Sequence, residues 1–332
     1  MKTQVTLNGL RYTVVSVMPD LTVPDCFVLP ENKVGTAHGE RKFYVGEKGS
    51  AKQFFAPCRT IKCVSLKKDF QIYLNTIKDE YLHPTMKYGG KRNLGSKWKE
   101  RKTKIDSLDE KLVFEAVFQD QISGPRGYLN SKSEIYNLYR ELSLPYVSYV
   151  SLMKLKSSDG DVVFYWRLFV DFNALRVKGV APLALIYGRR AKVTIDATGL
   201  SKKEKRSASK QAKFRDGLFK EYNGKGCPVT GITTPKLLVA SHIKPARFST
   251  DAEEVDPKNG FLLSPLYDRL FDQGLVTFDS DKSVRVSPWL TIEEQRRCKV
   301  KTGMVLGELP LDSEREKYLA YHRENVFKGV AD

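Results

Sequence analysis

Two short apolar runs, Leu237 to Ala240 and Phe261 to Leu263, stand ahead of a helical pattern, and the polar residues around them leave the chain few ways to fold. The first run ends in Ser241-His242 and meets a loop broken by Pro245, which puts His242 at a strand end, facing out of the sheet. Asn259 and Gly260 open the second run. Pro265 then suits the first turn of a helix carrying Leu266, Asp268, Leu270, Phe271 and Asp272, and Gly274 closes it. The order predicts a compact ββα unit. Cys227-Pro228-Val229-Thr230-Gly231 reads as the turn that starts it.

Such a unit holds the groups needed to hydrolyse a phosphodiester. An imidazole at a strand end can take a proton from water. A helix carboxylate can fix a divalent cation against the scissile phosphate, where it stabilises the pentacoordinate charge and the leaving oxygen. The amide of Asn259 can either hold the loop that carries His242 or complete the cation's oxygen shell. Only His242 and His322, of four histidines, follow residue 200, so a metal site rich in imidazole cannot be built there. Carboxylate must hold the cation, and hard oxygen ligands favour Mg²⁺ or Mn²⁺ over Zn²⁺. His322, in a helical pattern with Tyr318 and Tyr321, reads as a structural residue.

The pattern S-H-I-K-P, then N-G-F-L-L-S-P-L-Y-D-R-L-F-D-Q-G, preceded by C-P-V-T-G and followed by Tyr321-His322-Arg323, resembles the HNH endonucleases of the ββα-metal superfamily. It is similar in particular to the branch fused to restriction-type DNA-recognition domains, and the likeness covers roughly residues 224–327. The resemblance implies that His242 is the general base, Asn259 the central asparagine and Asp268 the final metal-binding position, with one Mg²⁺ or Mn²⁺ per site. The chain departs from the family at two places. Ser241 stands where many members have Asp or His as a ligand, and Asp268 stands where His is usual. Ser241 is a poor ligand, so the cation is expected to lean on Asp268, Asn259, phosphate oxygens and water. Asp272, one helical turn on, is a second or alternative ligand, or a cap at the helix end. No structural zinc is expected, because no second cysteine follows Cys227 within reach.

The remainder of the chain, 332 residues in all, leaves room for a second core. Residues 1–200 read as mixed α and β and are the expected DNA-recognition domain, 201–225 as a basic boundary segment or helix, and 226–332 as the nuclease domain. The fold class is therefore α+β, a mixed amino-terminal domain followed by a ββα-metal domain. Leu10 to Met18 and Arg41 to Val45 are strand-like. Tyr146 to Leu155 and Val162 to Phe172 form a hairpin turning at Asp159-Gly160, and a further apolar run spans Val180 to Tyr187. Helical spacing covers Lys68 to His83 and Ser133 to Leu142. Another helix is predicted from Ser107, where Glu110 completes a capping-box pattern ahead of Leu112, Phe114, Val117 and Phe118.

Charge points to a polyanionic partner: 56 Lys and Arg against 39 Asp and Glu give +17. Residues 87–104 carry eight of these cations against the single acid Glu100, with glycines interleaved, and read either as a loop gripping a phosphate backbone or as a solvated, mobile loop. Expected DNA contacts are Lys91, Arg92, Lys97, Trp98, Lys99, Arg101, Arg189 and Arg190, chosen for charge density, together with Lys244, Arg247 and Arg269 in the second domain. The expected partner is double-stranded DNA. A homodimer would follow if cuts are symmetric in a palindrome.

No window approaches about 18 uninterrupted apolar residues, and the start lacks a secretory apolar core. Five cysteines without a CxxC pair suit reduced thiols. A cytoplasmic, prokaryotic or phage-type protein with no membrane partner is therefore expected. The leading expectation is a restriction-type DNA endonuclease. Two alternatives stand beside it: a restriction glycosylase with a half-pipe-like amino-terminal domain whose HNH module acts at the abasic site, and a DNA-binding protein whose HNH unit has decayed.

Overall fold

The computed structural model describes residues 3–29, 41–85, 87–88, 93–171 and 202–330. The chain divides into two compact units, Met1–Ala191 with Val330–Asp332, and Lys192–Gly329. The architecture is mixed α and β, with the ββα element in the second unit.

In the first unit the elements run β1 (Gln4–Leu7), β2 (Leu10–Thr22), α1 (Asp25–Val28), β3 (Phe43–Glu47), α2 (Lys48–Phe55), β4 (Thr60–Leu66), α3 (Lys67–Thr76) and α4 (Lys78–Leu82). They continue with α5 (Leu94–Asp106), β5 (Lys111–Asp120), β6 (Arg126–Asn130), α6 (Glu134–Leu142), β7 (Ser148–Ser157) and β8 (Val162–Val170). The eight strands form one sheet in the order β1-β2-β7-β8-β4-β5-β6-β3. Its pairings are antiparallel except β4 beside β8. Trp166 on β8 anchors the core, with Phe43, Phe114, Tyr136 and Tyr139 around its ring at centroid separations of 5.5–6.2 Å.

Two expectations are overturned here. The stretch after Ser107 is not a helix: Lys111–Asp120 is β5, with Leu112, Phe114, Ala116 and Phe118 buried in strict alternation. A period of two satisfies every apolar residue there except Val113 and Val117, which lie on the other face. Glu110 does not cap a helix; its carboxylate pairs with Lys67. Residues 87–104 are also not all loop, because α5 begins at Leu94. Leu94 and Ile105 of α5 are buried, and Trp98 packs against the core with its indole N–H donating to the Leu74 carbonyl. The apolar run Val180 to Tyr187 lies outside the described residues.

On the sheet face opposite Trp166, Tyr165 and Arg167 of β8 meet Asp69 in the first turn of α3. Arg167 Nε lies 3.1 Å from Asp69 Oδ1, the Tyr165 hydroxyl donates to Oδ2, and all three residues are buried. Burial pushes the Asp69 carboxyl upward while the guanidinium of Arg167 pulls it back down.

The second unit runs α7 (Lys202–Tyr222), β9 (Val239–His242), β10 (Gly260–Leu263), α8 (Pro265–Asp272), β11 (Val276–Phe278), β12 (Val284–Val286), α9 (Ile292–Arg297) and α10 (Ser313–Asn325). The β9–β10 and β11–β12 hairpins are antiparallel. The large apolar residues of α7, Phe214, Leu218 and Tyr222, belong to this unit's core. Phe261, Phe271 and Phe278 form its aromatic centre, and His322 of α10 stacks on Phe271 at 3.8 Å. His322 Nε2 donates to the Phe271 carbonyl and Nδ1 accepts from Thr277. With both nitrogens used and the ring buried, desolvation pushes its pKa down to about 3. No helix among the described residues is long and apolar enough to cross a membrane.

Two predictions follow from these buried groups. Asp69→Ala strands the Arg167 guanidinium and should destabilise the first unit by roughly 3–5 kcal/mol, read as a urea transition shifted to lower concentration. The idea fails if that transition stays in place. His322 must remain neutral when folded, whereas an unfolded histidine protonates near 6.5. Its contribution is therefore complete above about pH 6.5 and is lost as pH falls from there toward 3, at up to about 1.4 kcal/mol per pH unit. His322→Gln should flatten this acid limb of stability; an unchanged limb would refute the assignment.

Candidate functional site

The register of the β9–β10 hairpin sets the site. It pairs His242 with Gly260 and Ser241 with Phe261, and alternation sends the two pairs to opposite faces. On one face the His242 ring stacks on Phe214 of α7, with centroids 3.7 Å apart and planes 13° from parallel. Gly260 makes this possible, because a Cβ there would lie 2.5 Å from the Phe214 ring and 3.1 Å from Leu218. On the other face Phe261 packs edge-on against Phe271 of α8, so Ser241 shares the side that α8 covers. α8 carries Asp268 and Asp272, one turn apart and both half-buried.

A loop of seventeen residues in chain order, 243–259, returns the chain from β9 to β10, and Asn259 fastens it. Asn259 is fully buried; its Oδ1 accepts from the Lys244 N–H at 2.8 Å. Its Nδ2 lies 3.1 Å from the carbonyls of Lys244 and Glu253 and 3.2 Å from Ser249 Oγ. Of its two expected uses, Asn259 therefore makes the bonds of a loop anchor. Lys244 and Glu253 close the same loop as an ion pair at 2.7 Å, and Lys244 holds the Glu253 carboxyl below its ordinary range. From α7, Lys210 reaches Asp251 and Glu254 at 2.6 Å, and from α10 the Tyr318 hydroxyl donates to Asp256 at 2.8 Å.

The product of this fastening is one carbonyl. Glu254 O lies 3.0 Å from His242 Nε2. A carbonyl only accepts, so Nε2 carries a proton, and in the neutral form of the ring the lone pair is on Nδ1. The imidazole is thus oriented by a stacked ring and by a fixed acceptor, with Nδ1 as its basic nitrogen.

Sequence reasoning missed three of the groups that build this arrangement. Phe214 was visible as the first large apolar residue in a basic segment, with Leu218 one turn on. Glu254 acts through its backbone and leaves no signal. Arg315 of α10 is buried, ion-paired with Glu221 at 2.9 Å, and donates to the carbonyls of Gly260 and Pro257, pinning the start of β10.

The residues expected as metal ligands, Ser241, Asp268 and Asp272, all offer oxygen. Ser241 is buried and its Oγ has no hydrogen-bond partner among the described residues, an orphan on the face that α8 covers. Asp268 and Asp272 supply carboxylates. Among the described residues no group of three or more His, Cys, Asp or Glu is arranged to hold a metal by itself. Oxygen donors of this kind suit a hard cation that keeps several waters and takes one or two carboxylates plus substrate phosphate.

The expected nucleic-acid contacts divide. Trp98 is held by Leu74 and lies under Lys78, Arg101 donates to the Tyr81 hydroxyl at 2.6 Å, and Lys97 pairs with Glu100. Those three side chains are engaged within the fold, while Lys99 is exposed on α5. Lys244 is committed to Glu253 and lies over Tyr321, Arg247 lies along Phe248, and Arg269 is exposed on α8. Lys91, Arg92, Arg189 and Arg190 lie outside the described residues.

None of the curated proteins compared with the chain matches it. Residues 227–279, which contain the hairpin, its loop and α8, match the family model of the HNH endonucleases. The carboxy-terminal segment is therefore an HNH endonuclease domain, preceded by an amino-terminal unit that the match does not cover.

Proposed function

We propose that the protein is a restriction-type DNA endonuclease in which His242 is the general base, a single Mg²⁺ or Mn²⁺ is the cofactor, and the amino-terminal unit selects where the cut falls. The match to the HNH endonucleases carries the nuclease reading, and the Nε2–H bond of His242 to the Glu254 carbonyl, which puts the lone pair of a neutral ring on Nδ1, carries the assignment of His242 as base. Nδ1 takes the proton from the attacking water, and the imidazolium that forms keeps its Nε2–H bond to Glu254, so the ring need not turn during the step. Phe214 stacked on the ring restricts its rotation. Asp268 and Asp272 would hold the cation, with the Ser241 hydroxyl, on the face that α8 covers, as a further oxygen. When bound, the cation neutralises charge developing on the phosphate and the leaving oxygen. Asn259 is then a positioning residue, since its amide is spent on the loop.

His242→Ala should lower metal-dependent cleavage of plasmid by about 10²–10⁴, the range that a positioned general base contributes. The protein should stay folded, and cleavage at the wild-type rate would end the assignment. Asp268→Ala should raise the Mg²⁺ concentration needed for half-maximal cleavage by about tenfold or more, and EDTA should stop the wild-type reaction. A variant that cuts as well as wild type across a Mg²⁺ titration would remove Asp268 from the ligand set.

A further inference from the structure

α7 lies outside the matched residues 227–279, yet two of its side chains reach the surroundings of His242. Lys210 and Phe214 are four residues apart, so one turn of the helix puts both on one face. Phe214 is fully buried and lies flat against the imidazole. Lys210 acts on the loop instead, where its ammonium reaches Asp251 Oδ1 and Glu254 Oε2, each at 2.6 Å. Both acids belong to the turn that follows Thr250, in which the Glu254 N–H donates to the Thr250 carbonyl at 2.9 Å. One cation thus grips the turn at two points, and the second is the residue whose own carbonyl meets Nε2.

The two contacts constrain different motions of the ring. Stacking on Phe214, with the planes 13° from parallel, fixes the plane of the imidazole but leaves two orientations related by half a turn about χ2. Only one of them sets Nε2 against the Glu254 carbonyl; in the other a ring carbon faces it. The acceptor therefore selects the orientation, and residue 254 has to be held for the selection to last. Its flanks are fixed independently, since Lys244 and Asn259 hold Glu253 and Tyr318 holds Asp256. Among the described residues, the Glu254 carboxylate itself pairs with Lys210.

We propose that Lys210 is a positioning residue for the base: by holding the Glu254 carboxylate it keeps the Glu254 carbonyl against Nε2, while Phe214 one turn on sets the plane of the ring. The working unit of the nuclease then begins at residue 210, ahead of the segment that matches the family. Lys210 stands in the basic run that leads into that segment, but its charge is committed to two carboxylates within the fold. The inference rests on the reading of His242 as general base.

The test compares the full chain with K210M and K210R by three measurements. Thermal unfolding should shift by about 4 °C or less in both variants, because a partly exposed ion pair adds little stability. Long-range ¹H–¹⁵N correlation in EDTA above pH 7 should show the two His242 nitrogen shifts converging in K210M, as a ring that has lost its acceptor exchanges between tautomers. K210R, which keeps a cation for both carboxylates, should restore the wild-type pattern. Plasmid cleavage in Mg²⁺ should fall about tenfold or more in kcat for K210M with KM unchanged, and recover in K210R. A wild-type His242 spectrum in K210M would overturn the proposal, and so would a loss of cleavage carried by KM alone. The spectrum is read without metal or turnover, so converged shifts in K210M beside full cleavage by His242→Ala would uphold the positioning of the ring and refute its role as base.

Discussion

The carboxy-terminal unit depends on one buried amide. Asn259 lies at the junction of a long loop and β10, and its hydrogen bonds to Lys244, Ser249 and Glu253 turn that loop into a fixed structure. An unpaired buried amide is costly, so the loop that satisfies it is strongly preferred over alternatives. The neighbouring constraints point the same way: the Lys244–Glu253 pair, Lys210 from α7 and Arg315 from α10 each tie the loop or the strand after it. The Glu254 carbonyl is consequently held against His242, and the chemistry of the imidazole follows from which nitrogen that carbonyl occupies.

Packing and electrostatics are joined at Gly260. Absence of a side chain there admits the Phe214 ring, and the ring supports His242 one strand away. The same register places Ser241 on the opposite face, beside the helix of the two carboxylates. A single two-stranded ladder therefore puts the His242 imidazole and the Ser241 hydroxyl on opposite faces. His322, by contrast, is spent entirely on structure, with both nitrogens bonded and its ring against Phe271.

Much of this unit was legible in the residues. Short apolar runs ending in Ser241-His242 and opening at Asn259-Gly260, then a Pro-led helix, specify a ββα element because each punctuating residue suits one backbone role. What could not be read was the source of the orienting bond, since a backbone carbonyl is contributed by any residue type. The first unit was less legible for two physical reasons. Ser107 and Glu110 mimic a capping box, and Leu112, Phe114 and Phe118 fit a helix nearly as well as a strand until burial of Ala116 settles the period. Charge density misled in the other direction. Cations crowded in sequence at α5 find acids one turn away or on α6.

The tautomer of His242 tests the account most directly. Long-range ¹H–¹⁵N correlation on histidine-labelled protein above pH 7, with the His242 signals assigned by their loss in His242→Gln, reports which ring nitrogen carries the proton. A protonated Nε2 and an unprotonated Nδ1 are expected. A proton on Nδ1 would contradict the account, because the nitrogen assigned to accept the proton from water would already hold one.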